Sequence, residues 1–222
     1  MGQITSIKPQ KSSKGRYRKN LPTGRQGRFN IFLDGKFAFA VSSVTLVKEE
    51  LRVEQDLSQE EINKLVKENE FQKVYNRVIN FLSYRPRSVK EIEDWCKKKE
   101  VGEEVKKQIL PKLTKLGYLN DEEFAKWWIE QRMTFRPLGS KMIAFELRNK
   151  GVANETIAKL LNCYIAKDQE KELATKVIEK KLKALKGLSN LELRQKLSAH
   201  LARRGFSWEI IKEAVDDYLK KG

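Results

Sequence analysis

Two cysteines and one histidine are all that this 222-residue chain offers toward soft metal ligation. Cys96 and Cys163 stand far apart and form no CxxC pair, and His200 is the only histidine that could join them. A structural zinc site needs four such ligands at close spacing. No metal or other cofactor is therefore expected, and both cysteines read as small core hydrophobes of a reducing compartment. Long apolar runs are also missing, since none approaches the roughly 20 residues of a spanning helix. The polar, basic stretch from Met1 to Lys19 lacks the apolar core of a signal peptide. A soluble cytoplasmic protein without membrane contact is the expectation.

Catalytic patterns are equally scarce. No glycine-rich GxxxxGK[ST] loop occurs, so nucleotide hydrolysis is not expected. His200 lies in a helical stretch without a paired nucleophile or carboxylate cluster. The acids are dispersed as helix-surface pairs, unlike the convergent carboxylates of a two-metal nuclease. The aromatic residues fall at helical core spacings and form no nucleobase-stacking platform. The chain reads as a binding protein rather than an enzyme.

Charge is what the sequence has in excess. Forty-six lysines and arginines face 30 acids, a net charge of +16. Such a surface attracts polyanions, nucleic acid first among them. The plainer alternative is a lysine-biased, solvated helical protein.

Two regions differ in pattern. Ile4–Pro9 is a strand candidate. Lys11–Gly27, rich in glycine, proline, lysine and arginine, reads as a mobile basic loop. Arg28–Val41 holds two β-rich runs flanking Asp34-Gly35, the dipeptide that most cheaply supplies the two positive φ angles of a type I′ hairpin turn. A short helix is expected around Val44–Lys48. Residues 1–57 thus form a small β-rich domain. From Ser58 onward the pattern is helical, introduced by the Ser58-x-x-Glu61 capping box and by Ile62, Leu65 and Val66.

The helical part repeats. Ser88–Val101, Lys141–Val152 and Lys196–Phe206 align, with Cys96, Leu147 and Leu201 in equivalent places. After each come basic residues, a stop and an apolar residue. In the second and third copies the stop is glycine (Gly151, Gly205), which takes the left-handed conformation at a helix end without strain. Each repeated helix is preceded by another (Phe71–Tyr84, Asp121–Phe135, Asp168–Leu185) and followed by a third (Glu103–Leu116, Asn154–Tyr164, Ser207–Leu219). Three tandem three-helix repeats follow, 58–117, 118–166 and 167–222, in a mainly α, elongated curved array behind the β segment.

The residues that carry these stops and caps also carry a resemblance. Phe81–Glu91 (FLSYRPRSVKE), Leu116–Ala125 (LGYLNDEEFA) and Glu146-Leu147-x-x-Lys150-Gly151-Val152 resemble, in order and spacing, the signatures of the RecX family. The N-terminal hairpin resembles the β-segment of its longer members. Glu100 stands where the family has a glycine, which removes the residue best suited to that stop. The resemblance implies a non-enzymatic regulator that binds the RecA filament along its groove and inhibits ATP hydrolysis, strand exchange and co-protease activity. It also implies binding to single- and double-stranded DNA, action as a monomer, and a place in homologous recombination, DNA repair and the SOS response.

The candidate contacts are cations that capping does not explain. Arg85 and Arg87 project from the short Arg-Pro-Arg-Ser connection and could clamp phosphate or acidic side chains bidentately. Arg132 and Arg136, four apart, would share a helix face, with Lys141 close by. Stacked repeats would line such connections along one edge. Lys97–Lys99, Lys150 with Arg148, and Arg203 with Arg204 close the repeated helices, where the helix macrodipole already favours cations; they would form a second edge. The site set is thus Arg85, Arg87, Arg132, Arg136, Lys141, Lys150, Arg203 and Arg204. Independent solvated cations are the competing reading. A direct DNA-binding protein using its three-helix units as helix-turn-helix-like readers is the alternative function. It is weakened because no repeated helix presents a clear base-reading set.

Overall fold

The computed structural model describes residues 1–10, 27–182, 185 and 187–221. The expected basic loop, apart from Gly27, lies outside the described residues. The chain divides into two compact units: Met1–Asn80 with Glu103–Val105, and Phe81–Gly102 with Lys106–Gly222.

The first unit holds β1 (Gly2–Pro9), β2 (Arg28–Leu33), β3 (Lys36–Ser42), α1 (Ser43–Lys48), β4 (Asp56–Leu57) and most of α2 (Gln59–Leu82). The strands form one antiparallel sheet in the order β3-β2-β1-β4. Asp34 and Gly35 join β2 to β3 with φ of 47° and 78°, the two positive angles expected of that dipeptide. Ile4, Ile31, Phe39 and Val41 pack with Leu51, Leu57 and Leu65 into one core, against which Ile62 and Val66 of α2 lie. The capping box that opens α2 is complete: Ser58 Oγ accepts from the Glu61 amide at 3.2 Å, and the Ser58 amide donates to the Glu61 carboxylate at 2.8 Å. The sequence reading starts a separate helix at Phe71. The structure runs α2 unbroken over 24 residues, because no glycine or proline interrupts the stretch from Ile62 to Phe71.

The described residues of the second unit form helices and their connections, with no strand: the end of α2, α3 (Val89–Lys98), α4 (Glu103–Lys115) apart from its first three residues, α5 (Asp121–Phe135), α6 (Ser140–Asn149), α7 (Asn154–Tyr164), α8 (Lys167–Leu182), α9 (Asn190–Arg203) and α10 (Trp208–Lys221). The repeat alignment holds at the level of packing. Cys96, Leu147 and Leu201 are completely buried, as are Ile92, Ile143 and Leu197 one turn earlier. Two larger cores follow, one around Phe124, Ile129, Ile143 and Ile157, the other around Leu173, Ile178, Leu201 and Ile211. The helix α9 starts at Asn190, six residues ahead of the aligned stretch Lys196–Phe206. Its capping box of Ser189 and Glu192 was legible as Ser-x-x-Glu in the sequence.

All three repeated helices stop in the same way. The amides of Val101, Val152 and Phe206 reach back to the carbonyls of Cys96, Leu147 and Leu201 at 3.0, 3.1 and 3.3 Å. The residue before each has positive φ: Glu100 (53°), Gly151 (83°) and Gly205 (80°). The glycine missing from the first repeat does not abolish its stop.

One cysteine departs from expectation. Cys96 is buried but Cys163 is exposed. At about 100° per residue, Cys163 falls on the far side of Leu160 from Ile157, about a quarter of a turn from the middle of the stripe that those two residues bury on α7.

Candidate nucleic-acid and protein interface

The repeats of the second unit meet at two joints, and most candidate cations belong to them. At each joint the start of one repeated helix meets the stop of the next. A β-carbon added to Gly151, the α6 stop, would lie 2.8 Å from Cβ of Lys90 in the first turn of α3. One added to Gly205, the α9 stop, would collide with the backbone nitrogen of Met142 in the first turn of α6. Glycine is thus required here for close approach as well as for φ. Glu100, the first such stop, is exposed.

A carboxylate from the following repeat also caps each helix start. The Val89 amide donates to Asp121 at 2.9 Å, and the Ser140 amide to the buried Glu170 at 2.8 Å. Acceptors at these amides satisfy the free donors of the first turn and complement the positive end of the helix. Asp121 therefore serves α3, while Asn120 caps α5 by accepting from Glu122 and Glu123.

Ion pairs lock the first joint. Arg85 binds Glu91 bidentately at 2.8 and 2.9 Å, and Lys150 donates to the same carboxylate at 2.6 Å. Ser88 caps α3 through the Glu91 amide. The Glu91 carboxylate turns to the two cations instead of reaching back to the Ser88 amide to complete a capping box. Burial pushes the Glu91 carboxyl upward, but hydrogen bonds from Arg85 and Lys150 outweigh it and hold its pKa at about 2. Lys150 also lies 5.3 Å from the ring centroid of Trp128.

Arg132 is likewise engaged. Its Nε donates to Glu146 at 2.6 Å, and its guanidinium stacks 4.2 Å from the Trp128 ring, whose Nε1 donates to the same carboxylate. Arg136 does not share its face as expected. The helix α5 ends at Phe135, and Arg136 has left helical geometry (φ −141°, ψ 78°). Arg87 lies 3.7 Å over Phe81, with its Nε buried and unpartnered. Burial and the neighbouring Arg85 lower the proton affinity of its guanidinium, opposed by Glu91.

Backbone contacts lock the second joint. The Gly139 amide donates to the Arg204 carbonyl at 2.9 Å, and the Lys141 amide to the Gly205 carbonyl at 3.2 Å. Arg204 itself donates to the Pro137 carbonyl at 3.1 Å. These bonds bring the connection 136–141 against the stop 203–205. Three exposed cations, Arg136, Lys141 and Arg203, therefore gather around one joint. None has a hydrogen-bond or ion-pair partner through its side chain among the described residues. Nearby His200 has its pKa lowered by burial first and then by Arg204, Lys181 and Arg203, which reports a positive local field. Of the eight predicted site residues, Arg85, Arg132, Lys150 and Arg204 are held by intramolecular contacts, Arg87 is stacked, and three remain free on the surface.

The comparisons with known proteins fit this architecture. Residues 24–58 match the model for the regulatory protein RecX N-terminal domain, and residues 75–118, 120–161 and 168–215 match those for the first, second and third RecX three-helix domains. The regulatory protein RecX of Bacillus subtilis (strain 168) is 41% identical over 189 residues, covering 85% of this chain and 71% of its own length.

The chain is a member of the RecX family.

RecX of Bacillus licheniformis is 35% identical over 217 residues, covering 98% of this chain and 78% of its own. Among solved structures, a crystal structure of regulatory protein RecX aligns with a TM-score of 0.71 and 26% identity, covering 97% of this chain and all of that one. RecX from Lactobacillus salivarius aligns with a TM-score of 0.59 and 27% identity, covering 67% and 96%. The three RecX three-helix domains span all eight predicted site residues. Among the described residues no helix is long and apolar enough to cross a membrane, and no group of three or more potential metal ligands converges.

Proposed function

We propose that this chain is a cytoplasmic, monomeric and non-enzymatic regulator that binds the RecA–DNA filament and restrains recombinase ATP hydrolysis, strand exchange and co-protease activity. The observation that carries the reading is the gathering of Arg136, Lys141 and Arg203 at the second joint of a RecX-family repeat array. Cations already matched by carboxylates have little left to offer a partner, whereas free ones on a positive surface attract phosphate and acidic side chains. A basic edge seated against DNA phosphate and filament protein together would clamp neighbouring protomers and favour one filament state. Its place is in DNA repair and the SOS response. In this reading Arg85, Arg132, Lys150 and Arg204 serve the interface by fixing the joints that present the free cations, and Arg87 extends the surface at the first joint.

The test is ATP hydrolysis by RecA on single-stranded DNA as this protein is titrated in. Wild type is expected to inhibit. Lys141→Glu with Arg203→Glu is expected to raise the half-inhibitory concentration by about tenfold or more, with an unchanged unfolding midpoint. Unaltered inhibition by that variant removes the second joint from the interface. Tight sequence-specific binding to bare duplex, with no effect of wild type on RecA, would establish the helix-turn-helix alternative instead.

A further inference from the structure

A second group of cations lies in the first unit, apart from every candidate above. Arg28 opens β2, and its Nη2 donates to Oδ1 of the buried Asn69 on α2 at 2.8 Å, with a longer contact to the Ala40 carbonyl at 3.5 Å. Its Nε is buried and has no partner. Lys73 and Arg77 follow Asn69 at successive four-residue steps, so all three share one face of α2. Side chains on a helix lean toward its N-terminus, which sends Lys73 and Arg77 back toward the anchored guanidinium. Neither has a hydrogen-bond or ion-pair partner through its side chain among the described residues. The acid that acts on Lys73 is Glu70, itself exposed.

The proton affinities agree with this geometry. Burial lowers that of Arg28 first, and Arg77 lowers it further. Burial lowers that of Lys73, and so do Arg28 and Arg77, against an opposing effect of Glu70.

This arrangement contrasts with the Arg85–Glu91–Lys150 lock. There the cations meet a buried carboxylate and are satisfied. Here a partly buried guanidinium and two neighbours repel one another, opposed only through space by the exposed Glu70, with no carboxylate among the described residues bonded to any of the three. Like charges kept close without compensation destabilise the fold unless a ligand supplies the missing anion. A guanidinium fork with a second guanidinium and an ammonium matches the tetrahedral oxygens of a phosphate. One free anion would offset only part of this charge, whereas cations one helical turn apart can serve a repeating anion.

We infer that Arg28, Lys73 and Arg77 form an oxyanion site in the N-terminal unit that takes backbone phosphate of a nucleic acid. The inference goes beyond the filament reading and needs no recombinase, so the two fail separately.

The full-length chain carries the test. Affinity for a fluorescein-labelled oligothymidylate is measured by anisotropy across a salt series. Wild type is compared with Lys73→Gln/Arg77→Gln, which leaves the Arg28–Asn69 bond intact, and with Lys107→Gln/Lys115→Gln on α4, which removes the same charge from exposed positions. Each lost single-strand phosphate contact lowers the slope of log affinity against log salt by about 0.7. The cluster variant is expected to lose about 0.7–1.4 of slope and to bind tens of times more weakly at low salt. The charge-swapped Lys73→Arg/Arg77→Lys is expected to keep the wild-type slope, and inorganic phosphate is expected to raise the unfolding midpoint of wild type more than that of the cluster variant. Equal slopes for wild type and the cluster variant overturn the proposal, even where inorganic phosphate still stabilises the protein, since that describes a free-anion site. Equal losses in the cluster and α4 variants overturn it as well, because bulk charge then explains both.

Discussion

The two joints of the helical unit solve one packing problem with different chemistry. Each brings the start of a repeated helix against a positive-φ stop, and each caps that start with a carboxylate from the following repeat. The first adds a side-chain lock, Arg85 and Lys150 on Glu91. The second adds backbone bonds from Gly139 and Lys141 to Arg204 and Gly205. In the first, cations are consumed to hold repeats together. In the second, backbone bonds hold the repeats with one bond from the Arg204 guanidinium to the Pro137 carbonyl, and Arg136, Lys141 and Arg203 stay free. A basic residue near a joint is therefore not automatically a contact residue.

The contrast breaks most sharply at the second joint. Gly205→Ala forces a β-carbon into the Met142 backbone at a positive φ. A loss of about 3–5 kcal/mol in urea unfolding is expected, the range of severe overpacking with added backbone strain. A loss below about 1 kcal/mol would show that the joint yields.

Next in size is Glu91→Gln, which leaves Arg85 and Lys150 facing a neutral group. About 2–3 kcal/mol should be lost near neutral pH, consistent with a carboxyl moved from 4.5 to about 2. The folded-state pKa is depressed, so the contribution is complete above about 4.5 and disappears as pH falls through about 2. The stability gap between wild type and variant should close across that window. A gap that stays constant with pH would mean that shape, rather than charge, holds the first joint.

Gly151→Ala is expected to cost less than Gly205→Ala, about 2–3 kcal/mol, because its added β-carbon would meet one Lys90 side chain, nearest at Cβ 2.8 Å away, where that at Gly205 would meet the Met142 backbone nitrogen more closely still. Equal losses at the two glycines would erase the distinction between the joints. The smallest effect has the opposite sign. Glu100 holds φ of 53° without glycine, and Glu100→Gly should stabilise by a few tenths to about 1 kcal/mol, strain relief less the entropy of glycine. Destabilisation would mean that the Glu100 side chain makes a contact worth more than its strain.

How much was legible in the sequence differs by level. The hairpin was readable because Asp34-Gly35 is a local backbone signal. The repeats were readable because Cys96, Leu147 and Leu201 mark buried faces at equivalent positions, and the stops because glycine at a helix end has a local physical cause. The missed items are of another kind. Phe71 looked like a helix start because the repeat alignment required one, while local propensity carried α2 straight through. Arg132 and Arg136 looked like one face because their spacing is helical, but the helix ends between them. Cys163 looked buried because of residue type, and its position around α7 decided otherwise.

Element types, the two glycine stops, the repeat period and the excess of positive charge are legible along the chain, because neighbouring residues carry them. Which cations are free depends on the fold. Glu91 pairs with Lys150 across 59 positions, Arg204 with the Pro137 carbonyl across 67, and Arg28 with Asn69 across 41. No local pattern records such pairings, because charge compensation depends on which side chains packing brings within hydrogen-bond distance.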